Sequence, residues 1–292
     1  MATAKPSLSI VLPCLNEEDN LIQLLPLIKE AQPTAEILVV NDGSTDLSAE
    51  ICHQFKVNVV SHPKPLGNGA AIKTGARNAT GDVIVFMDAD GQHRPEDIQR
   101  LLDKLDEGFD MVVGARQPST HASKKRLLGN TVFNKLASFM TGQKIEDLTS
   151  GFRAVRAKHF KKFLYLLPNG FSYPTTSTMA FFRSALPVAY IPIHAGKREG
   201  KSKIKLAKDG LRFFVIILKI GALFSPMRLF LPVSFLFFLI GFFNHLHTYF
   251  SWGGLSKGSL LMYVSSIFIF LMGILSEQIS SLHYRNSEND NT

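Results

Sequence analysis

Two long stretches without a charged residue lie near the C-terminal end of the chain, over residues 229–249 and 259–276. A helix needs roughly 20 mainly apolar residues to cross a lipid bilayer, and both stretches reach that range. Two buried helices of a soluble protein are the alternative. The polar segment that follows, residues 277–292, offers little apolar surface on which to bury them. We therefore expect two transmembrane helices joined as a hairpin, followed by a short tail.

The basic residues around these stretches predict how the hairpin crosses the membrane. Lys219 and Arg228 lie before the first stretch, whereas the loop between the two stretches carries only Lys257. Lys and Arg concentrate on the cytoplasmic side of membrane proteins. We therefore expect the N-terminal domain and the tail, residues 277–292, in the cytosol. The bacterial inner membrane is favoured over the endoplasmic reticulum as the location of this multi-pass protein.

The segment just before the hairpin, residues 203–224, has the pattern of an amphipathic helix. Basic residues fall on one helical face and apolar residues on the other: Lys205, Lys208, Arg212 and Lys219 against Ala207, Leu211, Phe214 and Leu218. This pattern is typical of a helix that lies in the membrane interface with its apolar side down. A core helix of a soluble domain is the alternative.

Upstream, residues 8–114 alternate short apolar runs with helical patterns, which indicates an α/β fold. The predicted strands are 8–12, 37–40, 57–60, 83–87 and 111–113, and the predicted helices are 21–31, 49–55, 70–78 and 95–107. Helices over 123–140 and 173–184 and a strand over 188–193 follow. Such alternation predicts a doubly wound, mainly parallel sheet that binds ligands at the carboxyl ends of its strands. We assign residues 1–202 to one cytosolic catalytic domain of this kind.

The chain carries 32 Lys and Arg against 24 Asp and Glu, a formal net charge of +8. A basic balance suits nucleic acid, anionic lipid or phosphorylated ligands. The placement of the basic residues favours phosphates and a membrane surface, and we expect no nucleic acid partner. Cys14 and Cys52 have no metal-type spacing and indicate a reducing compartment. The first residues, Met1–Ser7, lack the apolar core of a signal peptide.

The clearest motif for chemistry is Asp88-Ala89-Asp90, directly after the predicted strand 83–87. Two carboxylates at i and i+2 beyond a strand end can share one hard cation. Mg²⁺ or Mn²⁺ prefers such oxygen ligands and bridges readily to phosphates. Acidic pairs are common in loops, so the pair alone is a weak signal. Its place after an apolar strand and before Gly91-Gln92-His93 makes it much stronger.

Three further polar segments follow predicted strands. Residues 12–18 end the first strand, and Asn41-Asp42-Gly43-Ser44 ends the second. Asp42 could accept hydrogen bonds from a nucleobase or a ribose, although a turn or helix cap made by Asp42 or Ser44 fits the same residue types. The third segment, residues 67–73, has glycines that permit close backbone approach at a helix start, where anions are favoured. It lacks the Lys and Ser/Thr ending of a P-loop.

Taken together, these four segments in this order resemble the family 2 glycosyltransferases with the A-type nucleotide-sugar fold, over residues 7–205. Three more segments resemble the dolichol- and polyprenyl-phosphate sugar transferases within that family: Gly114-Ala115-Arg116, residues 147–153 and residues 198–203. Two C-terminal spans also occur in one branch of that group. The Q-x-x-R-W motif of the processive, polymer-forming branch is missing, since the only Trp is Trp252. The resemblance therefore favours transfer of a single sugar.

The resemblance implies a role for each matching residue. The nucleotide site would comprise Pro13, Asn16, Glu17, Asp42, Gly67, Lys73 and Asp88, the metal on the diphosphate would be held by Asp88, Asp90 and Gln92, and catalytic roles would fall to Asp90, Arg116, Arg126, Asp147, Arg198 and Lys203. Arg116 and Arg126 would contact the acceptor phosphate. A mobile loop would bring Arg198 and Lys203 over the phosphates. Asp147 would orient the acceptor region, with capping of the loop before Gly151 as the alternative.

The implied reaction is the inverting transfer of one sugar from a UDP- or GDP-sugar to undecaprenyl or dolichyl phosphate at the cytosolic membrane face, with Mg²⁺ or Mn²⁺ as cofactor. A lipid phosphate is already anionic, so it needs guanidinium groups rather than a general base. Another lipid acceptor, such as diacylglycerol or a lipid-linked glycan, would require a base, for which Asp147 is the candidate. A non-catalytic membrane scaffold is the remaining alternative, and the intact Asp88 and Asp90 pair opposes it. A homo-oligomer is possible.

Overall fold

The computed structural model describes residues 6–116, 124–170, 172–194, 196, 218, 221–222 and 225–289, without the side chains of 124–130, 252 and 283–289. The chain divides into two compact units, one made of residues 1–135 with 144–205 and the other of 136–143 with 206–292. The predicted interfacial helix, residues 203–224, lies almost wholly outside the described residues. Its boundaries therefore stay predictions.

A seven-stranded sheet forms the centre of the first unit. Its strands are β1 Leu8–Cys14, β2 Glu36–Asn41, β3 Asn58–Ser61, β4 Val83–Phe86, β5 Met111–Arg116, β6 Arg153–Arg156 and β7 Val188–Ile193. They lie in the order β3-β2-β1-β4-β6-β5-β7. All neighbouring pairs are parallel except the two that involve β6, which runs antiparallel to both β4 and β5. The predicted α/β fold with a mainly parallel sheet is confirmed.

In the part of this unit that the structure describes, seven α-helices accompany these strands. They are α1 Glu18–Ala31, α2 Ser48–Gln54, α3 Asn68–Asn78, α4 Asp97–Asp106, α5 Lys124–Thr141, α6 Ala157–Lys162 and α7 Tyr173–Arg183. The core between sheet and helices includes Ile10, Leu12, Val39 and Val85 from the strands and Leu25 and Leu101 from α1 and α4, all of them fully or almost fully buried. Strands that are covered on both faces are apolar throughout, and this is why β1, β2 and β4 could be predicted from short apolar runs.

Strand β6 is absent from the sequence prediction. It has four residues with Arg at both ends, so it offers no apolar run or clean alternation. Its register pairs Arg153 with Phe86 of β4 on one side and with Val113 of β5 on the other. Because β6 runs antiparallel, it begins where β4 and β5 end. The residues that lead into β6 are therefore brought to the carboxyl edge of the sheet.

Arg153 shows how a charged residue can begin this central strand. Its side chain is completely buried. The guanidinium donates to the carbonyl of Ser150, to Pro174 O at 3.1 Å, and to the hydroxyls of Ser177 and Thr178 at 2.8 and 3.2 Å. Several hydrogen bonds of this kind offset the cost of taking a charge out of water. Arg153 thus ties the start of β6 to α7.

The second unit contains two long apolar helices, α8 Pro226–Trp252 and α9 Lys257–Asn289, which form a hairpin. Each contains a segment of 26 residues that is long and apolar enough to cross a membrane, and only 11 % and 17 % of their most apolar windows are buried. A core helix of a soluble protein would be mostly buried. The predicted hairpin of two apolar helices is confirmed, with both helices longer than the predicted spans.

Small and polar residues join the two helices of the hairpin. The Ser234 hydroxyl donates to Ser266 O, and the Ser266 hydroxyl donates to Ser234 O, both at 2.9 Å. A Cβ atom built on Gly273 would lie 2.8 Å from Phe230 Cβ, so the helices are too close there for a larger residue. Packing of small residues and hydrogen bonds between helices are the contacts that hold helices together in lipid.

The second unit also includes the end of α5. Arg228, near the start of α8, donates from Nη1 to Phe139 O at 3.0 Å and to Met140 O at 3.2 Å. Gly142 has a φ of +73° and its N–H bonds to Ser138 O at 2.8 Å, which ends the helix. A cation at the last carbonyl groups of a helix stabilises its C-terminus. Arg228 therefore caps α5.

Candidate active site

The carboxyl edge of the sheet brings together residues from three strand ends. Asp88 and Asp90 follow β4, Arg116 is the last residue of β5, and the loop 147–152 leads into β6. A Cβ atom built on Gly151 would lie 2.9 Å from Asp88 Oδ2, so the loop backbone passes beside this carboxylate. Arg116 and Asp88 also interact electrostatically. The two motifs that were predicted to bind metal and acceptor phosphate are therefore neighbours.

Arg116 and Asp147 form a bidentate ion pair. Arg116 donates from Nε to Asp147 Oδ2 at 2.8 Å and from Nη2 to Asp147 Oδ1 at 2.9 Å. Nη2 also donates to Thr149 Oγ1 at 2.6 Å. No described residue accepts a hydrogen bond from Nη1. A fork-to-fork pair of this kind fixes the plane of the guanidinium as well as its position.

The pair also fixes both charges. Burial alone would raise the pKa of the Asp147 carboxyl, but the hydrogen bonds and charge of Arg116 outweigh it and hold that pKa below its ordinary value. For Arg116, burial acts to lower the pKa, and Asp147 more than compensates. A carboxylate that is ionised and fully engaged with an arginine is a poor general base. In this structure Asp147 orients Arg116, and its predicted role in orienting the acceptor region stays a prediction.

The loop after β4 carries the oxygen ligands expected for a metal. Asp88, Asp90 and Gln92 are all half-buried, and the N–H of Gln92 donates to Asp90 Oδ1 at 3.2 Å across the turn at Gly91. The described residues contain no cluster of three or more His, Cys, Asp or Glu suited to a metal. Mg²⁺ usually takes only one or two carboxylates from a protein and completes its shell with water and substrate phosphates. The residues present thus fit a cation that arrives with a diphosphate.

His93 follows the loop of Asp88 and Asp90 and contacts the loop before β6, and no role was predicted for it. Its ring stacks on Phe152 with centroids 4.9 Å apart and planes 16° apart. Burial lowers the pKa of His93 to about 4, so the ring is neutral near pH 7. Nδ1 is buried without a hydrogen-bond partner among the described residues. The stack joins the loop after Asp90 to the loop before β6, and no sequence spacing indicates such a contact.

On the other side of β4, the loops that follow β1 and β2 are joined by hydrogen bonds. Asn16 has a φ of +58°, and its Oδ1 accepts from the N–H of Thr45 at 2.8 Å while its own N–H donates to Ser44 Oγ at 3.0 Å. Glu17 accepts from Asn20 Nδ2 at 2.6 Å. Pro13 is half-buried at the end of β1. The predicted nucleotide residues Pro13, Asn16 and Glu17 thus share one edge with Asp88, as expected.

The Asp42 carboxylate forms hydrogen bonds with other residues of the protein. Its carboxylate accepts from the N–H groups of Leu66 and Gly67 at 2.9 and 2.8 Å and contacts His62 Nδ1 at 2.7 Å. These bonds use both carboxylate oxygens in a buried position. Asp42 therefore shapes the loop between β3 and α3, a long-range role that differs from the local turn or cap considered above. Direct contact with a nucleobase or ribose stays a prediction.

The glycine segment at the start of α3 packs against another part of the chain, residues 167–170. A Cβ atom on Gly67 would lie 2.5 Å from Asn169 O, and the N–H of Ala70 donates to the same carbonyl at 3.1 Å. Lys73 donates from Nζ to Leu167 O at 3.1 Å. The glycines make room for residues 167–170, and the helix start that was expected to face an anion already has carbonyl partners. Nucleotide contacts of Gly67 and Lys73 stay predictions that these bonds do not support.

Three predicted site residues lie outside what the structure describes. They are the side chain of Arg126 and the whole of Arg198 and Lys203. Their predicted roles, at the acceptor phosphate and over the diphosphate, therefore stay predictions.

A mainly parallel α/β sheet with paired carboxylates after a central strand is the arrangement of an A-type glycosyltransferase. The chain belongs to glycosyl transferase family 2, whose family model matches residues 9–164. A second model, described as the GtrB C-terminal hairpin, matches residues 225–282. The protein is therefore a glycosyltransferase with an apolar hairpin, and it is a membrane protein.

Curated relatives agree with this family. The polyprenol monophosphomannose synthase of Mycolicibacterium smegmatis is 30 % identical over 221 residues, which cover 70 % of this chain and 83 % of that protein. The undecaprenyl-phosphate 4-deoxy-4-formamido-L-arabinose transferase of Edwardsiella ictaluri is 32 % identical over 211 residues, 68 % of this chain. The match spans 63 % of that longer protein.

Among solved structures, glucosyl-3-phosphoglycerate synthase from Mycobacterium tuberculosis has the same fold. Its complex with Mn²⁺, UDP-glucose and phosphoglyceric acid superposes with a TM-score of 0.62 at 20 % identity, over 74 % of this chain and 80 % of that one. At this level of identity the likeness establishes the fold alone.

Proposed function

We propose that the protein transfers a single sugar from a nucleoside diphosphate sugar to a polyprenyl phosphate at the cytosolic face of a bacterial inner membrane, which its hairpin crosses twice. The observation that carries the proposal is the Arg116–Asp147 pair beside Asp88, in a chain with a membrane hairpin. The names of the two curated relatives, a polyprenol monophosphomannose synthase and an undecaprenyl-phosphate sugar transferase, support the class of acceptor.

The donor diphosphate belongs beside the loop after β4 in this proposal. Asp88 and Asp90, with the Gln92 amide, would hold Mg²⁺ or Mn²⁺, which would neutralise charge on the leaving diphosphate. The fold shared with a protein solved with Mn²⁺ and UDP-glucose supports this arrangement. Pro13, Asn16 and Glu17, on the same edge, would line the nucleotide. The proposal includes UDP- and GDP-sugars alike as donors.

Arg116 would receive the acceptor phosphate. Its Nε and Nη2 are held by Asp147, and Nη1 has no acceptor among the described residues, so this group can donate to a ligand. A guanidinium at this point would counter the repulsion between the acceptor phosphate and the donor diphosphate and fix an in-line approach. In-line attack gives the inversion that the family resemblance implies. Arg126, Arg198 and Lys203 would add further positive charge.

The state of Asp147 favours a phosphate acceptor over a hydroxyl acceptor. A hydroxyl group of diacylglycerol or of a lipid-linked glycan would need a base to remove its proton. Asp147 was the candidate base, and it is bound on both oxygens by Arg116 with a lowered pKa. A phosphate acceptor needs no such base, since it is already anionic.

The test is a donor and acceptor screen with the purified full chain in detergent or liposomes. Radiolabelled UDP- and GDP-sugars are offered with a short polyprenyl phosphate, the matching polyprenol, or diacylglycerol, with Mg²⁺ or Mn²⁺. We expect labelled lipid only with the polyprenyl phosphate and only with a metal. The Asp90→Asn variant serves as the blank. Label in diacylglycerol or in the free polyprenol would contradict the proposed acceptor, and label that persists with excess chelator would contradict the metal.

A further inference from the structure

Asn134, in the middle of α5, forms hydrogen bonds to the loop that carries Asp147. Its Nδ2 donates to Glu146 O at 2.6 Å, and its Oδ1 accepts from the N–H of Leu148 at 3.0 Å. These two backbone groups lie on either side of Asp147 in the chain. A side-chain amide is the group that offers a donor and an acceptor together at this spacing. The loop is therefore held immediately before and immediately after the carboxylate.

We propose that Asn134 is a positioning residue for the acceptor phosphate, which acts by holding Asp147 where it can aim Arg116. This inference rests on the proposed function, because it assumes that Arg116 meets that phosphate. The chain of contacts is short. Asn134 fixes the backbone on both sides of Asp147, and Asp147 fixes two nitrogens of the Arg116 guanidinium.

Beyond the Asn134 amide, the loop is held at its far end, where the Ser150 hydroxyl donates to Gly114 O at 2.6 Å and the Ser150 carbonyl accepts from Arg153. Within the loop, Asp147 Oδ1 accepts from the N–H of Thr149 at 3.1 Å, which orients Thr149 Oγ1 to accept from Arg116. Leu148 and Asp147 are buried, so the polar backbone groups beside them cannot turn to water without moving the loop. Loss of the Asn134 amide therefore removes the two bonds that flank Asp147 and loosens the backbone beside both acceptor residues of Arg116.

The position of Asn134 on α5 extends the argument. Arg126, which the family resemblance assigns to the same phosphate, lies on α5 about two turns earlier. Helix α5 then carries Arg126, one predicted phosphate ligand, together with the Asn134 amide. That amide positions the second predicted ligand, Arg116, through Asp147. Asn134 links helix α5 to Arg116 through the loop that carries Asp147.

The test is a double-mutant cycle on the full chain, with Asn134→Ala, Arg116→Lys and the combination. We expect Asn134→Ala to lower kcat/KM for short polyprenyl phosphate about tenfold. The affinity for UDP or GDP in the presence of Mn²⁺, measured by titration, should not change. Lysine at position 116 cannot make the bidentate bond to Asp147. Asn134→Ala should then add less than about a twofold loss in that background, as for two changes on one path.

A matched control and a second readout separate positioning from general stability. Asn78→Ala removes an exposed amide that donates to Thr74 O within its own helix at 2.8 Å, and it should leave the kinetics unchanged. Hydrogen exchange should become faster in peptides that cover residues 146–149 in Asn134→Ala and not in Asn78→Ala. If Asn134→Ala does not fold, Asn134→Gln carries the same groups one methylene further out and replaces it in the cycle.

The outcomes are distinguishable. Equal losses from Asn134→Ala in the wild-type and Arg116→Lys backgrounds, or weaker nucleotide binding, would overturn the positioning role and leave the proposed function standing. Normal acceptor kinetics in Arg116→Lys and Arg116→Ala alike would contradict the proposed acceptor site, and the inference with it. A tenfold loss that disappears in the Arg116→Lys background, with faster exchange over residues 146–149, supports the role.

Discussion

Replacement of Asp147 by Asn tests the Arg116–Asp147 pair most directly. The substitution keeps the size of the side chain, removes its charge, and replaces one acceptor oxygen by a donor that faces the Arg116 guanidinium. One of the two bonds, at 2.8 and 2.9 Å, is then lost and Arg116 loses its counter-charge. Breaking one partner out of a buried pair costs about 3–5 kcal/mol.

The cost at this site is smaller than for a fully buried pair. The Arg116 side chain is 26 % exposed, against 6 % for Asp147, so water screens part of the lost interaction. We take about 2 kcal/mol, which corresponds to a loss of roughly 30-fold in rate if it falls wholly on the transition state. We therefore expect Asp147→Asn to lower kcat/KM for the lipid phosphate by about 10- to 100-fold, with nucleotide binding unchanged.

The assay is incorporation of radiolabelled sugar into short polyprenyl phosphate over a range of lipid concentrations, beside a nucleotide titration. Asp110→Asn is the matched control, because Asp110 contacts His159 Nδ1 at 2.9 Å just before β5 begins, at the opposite edge of the sheet. A variant Asp147→Asn within twofold of wild type would refute the argument that this carboxylate aims Arg116. So would a loss that appears only in nucleotide binding.

Asp147 should also affect acid stability. Its pKa is lowered in the folded protein, so its ionised form stabilises the fold above the unfolded pKa of about 4. That contribution is lost as the pH falls through the lower pKa of the folded state. We expect the difference in unfolding temperature between wild type and Asp147→Asn to be present at pH 7 and to shrink below about pH 4. A difference that grows with acid would contradict the direction of the shift.

Three further predictions concern other parts of the molecule. Asp90→Asn should abolish transfer while the protein remains folded in the membrane, and near-normal activity with saturating Mg²⁺ or Mn²⁺ would show that Asp90 is not a metal ligand. Arg228→Ala removes two hydrogen bonds from the C-terminal carbonyl groups of α5 and should cost about 1 kcal/mol of stability in a thermal unfolding assay, whereas Arg228→Lys should keep part of it. Ser234→Ala should weaken the α8–α9 hairpin by only about 0.6 kcal/mol, measured by unfolding in mixed detergent, and a loss of several kcal/mol would mean that the Ser234–Ser266 bonds hold more than the two helices.

The elements that were predicted from the sequence are those whose pattern is local. Strand β4, with the sequence Val-Ile-Val-Phe, is buried on both faces and could be recognised as an apolar run. Asp88 and Asp90 could be found because they lie two and four residues beyond the end of that strand. The hairpin could be predicted because its helices are long, apolar and free of charged residues over most of their length, as membrane spans require.

The missed features depend on contacts between distant parts of the chain. Strand β6 has Arg at both ends, and Arg153 is buried only because Ser150 and α7 supply acceptors for its guanidinium. The hydrogen bonds of Asp42 to a loop more than 20 residues further along the chain were not predicted, and its contact with a nucleotide stays a prediction. In the sequence, Asn134 lies within a predicted helix, and nothing in the pattern indicates a role for its side chain. Only the folded chain brings its amide to the backbone around Asp147.

The late insertion of β6 has a consequence for synthesis of the protein. Strand β4 is central in the finished sheet, but its partner on one side is not complete until Arg156. About 70 residues of chain follow Phe86 before that point, roughly 4–14 s of translation at 5–20 residues per second. During this interval the nascent chain exposes an unpaired, wholly apolar strand edge, which is a template for aggregation. A ribosome stalled before residue 150 would therefore hold a chain in which Asp88 and Asp90 are already synthesised, with this edge open to chaperones or to other chains.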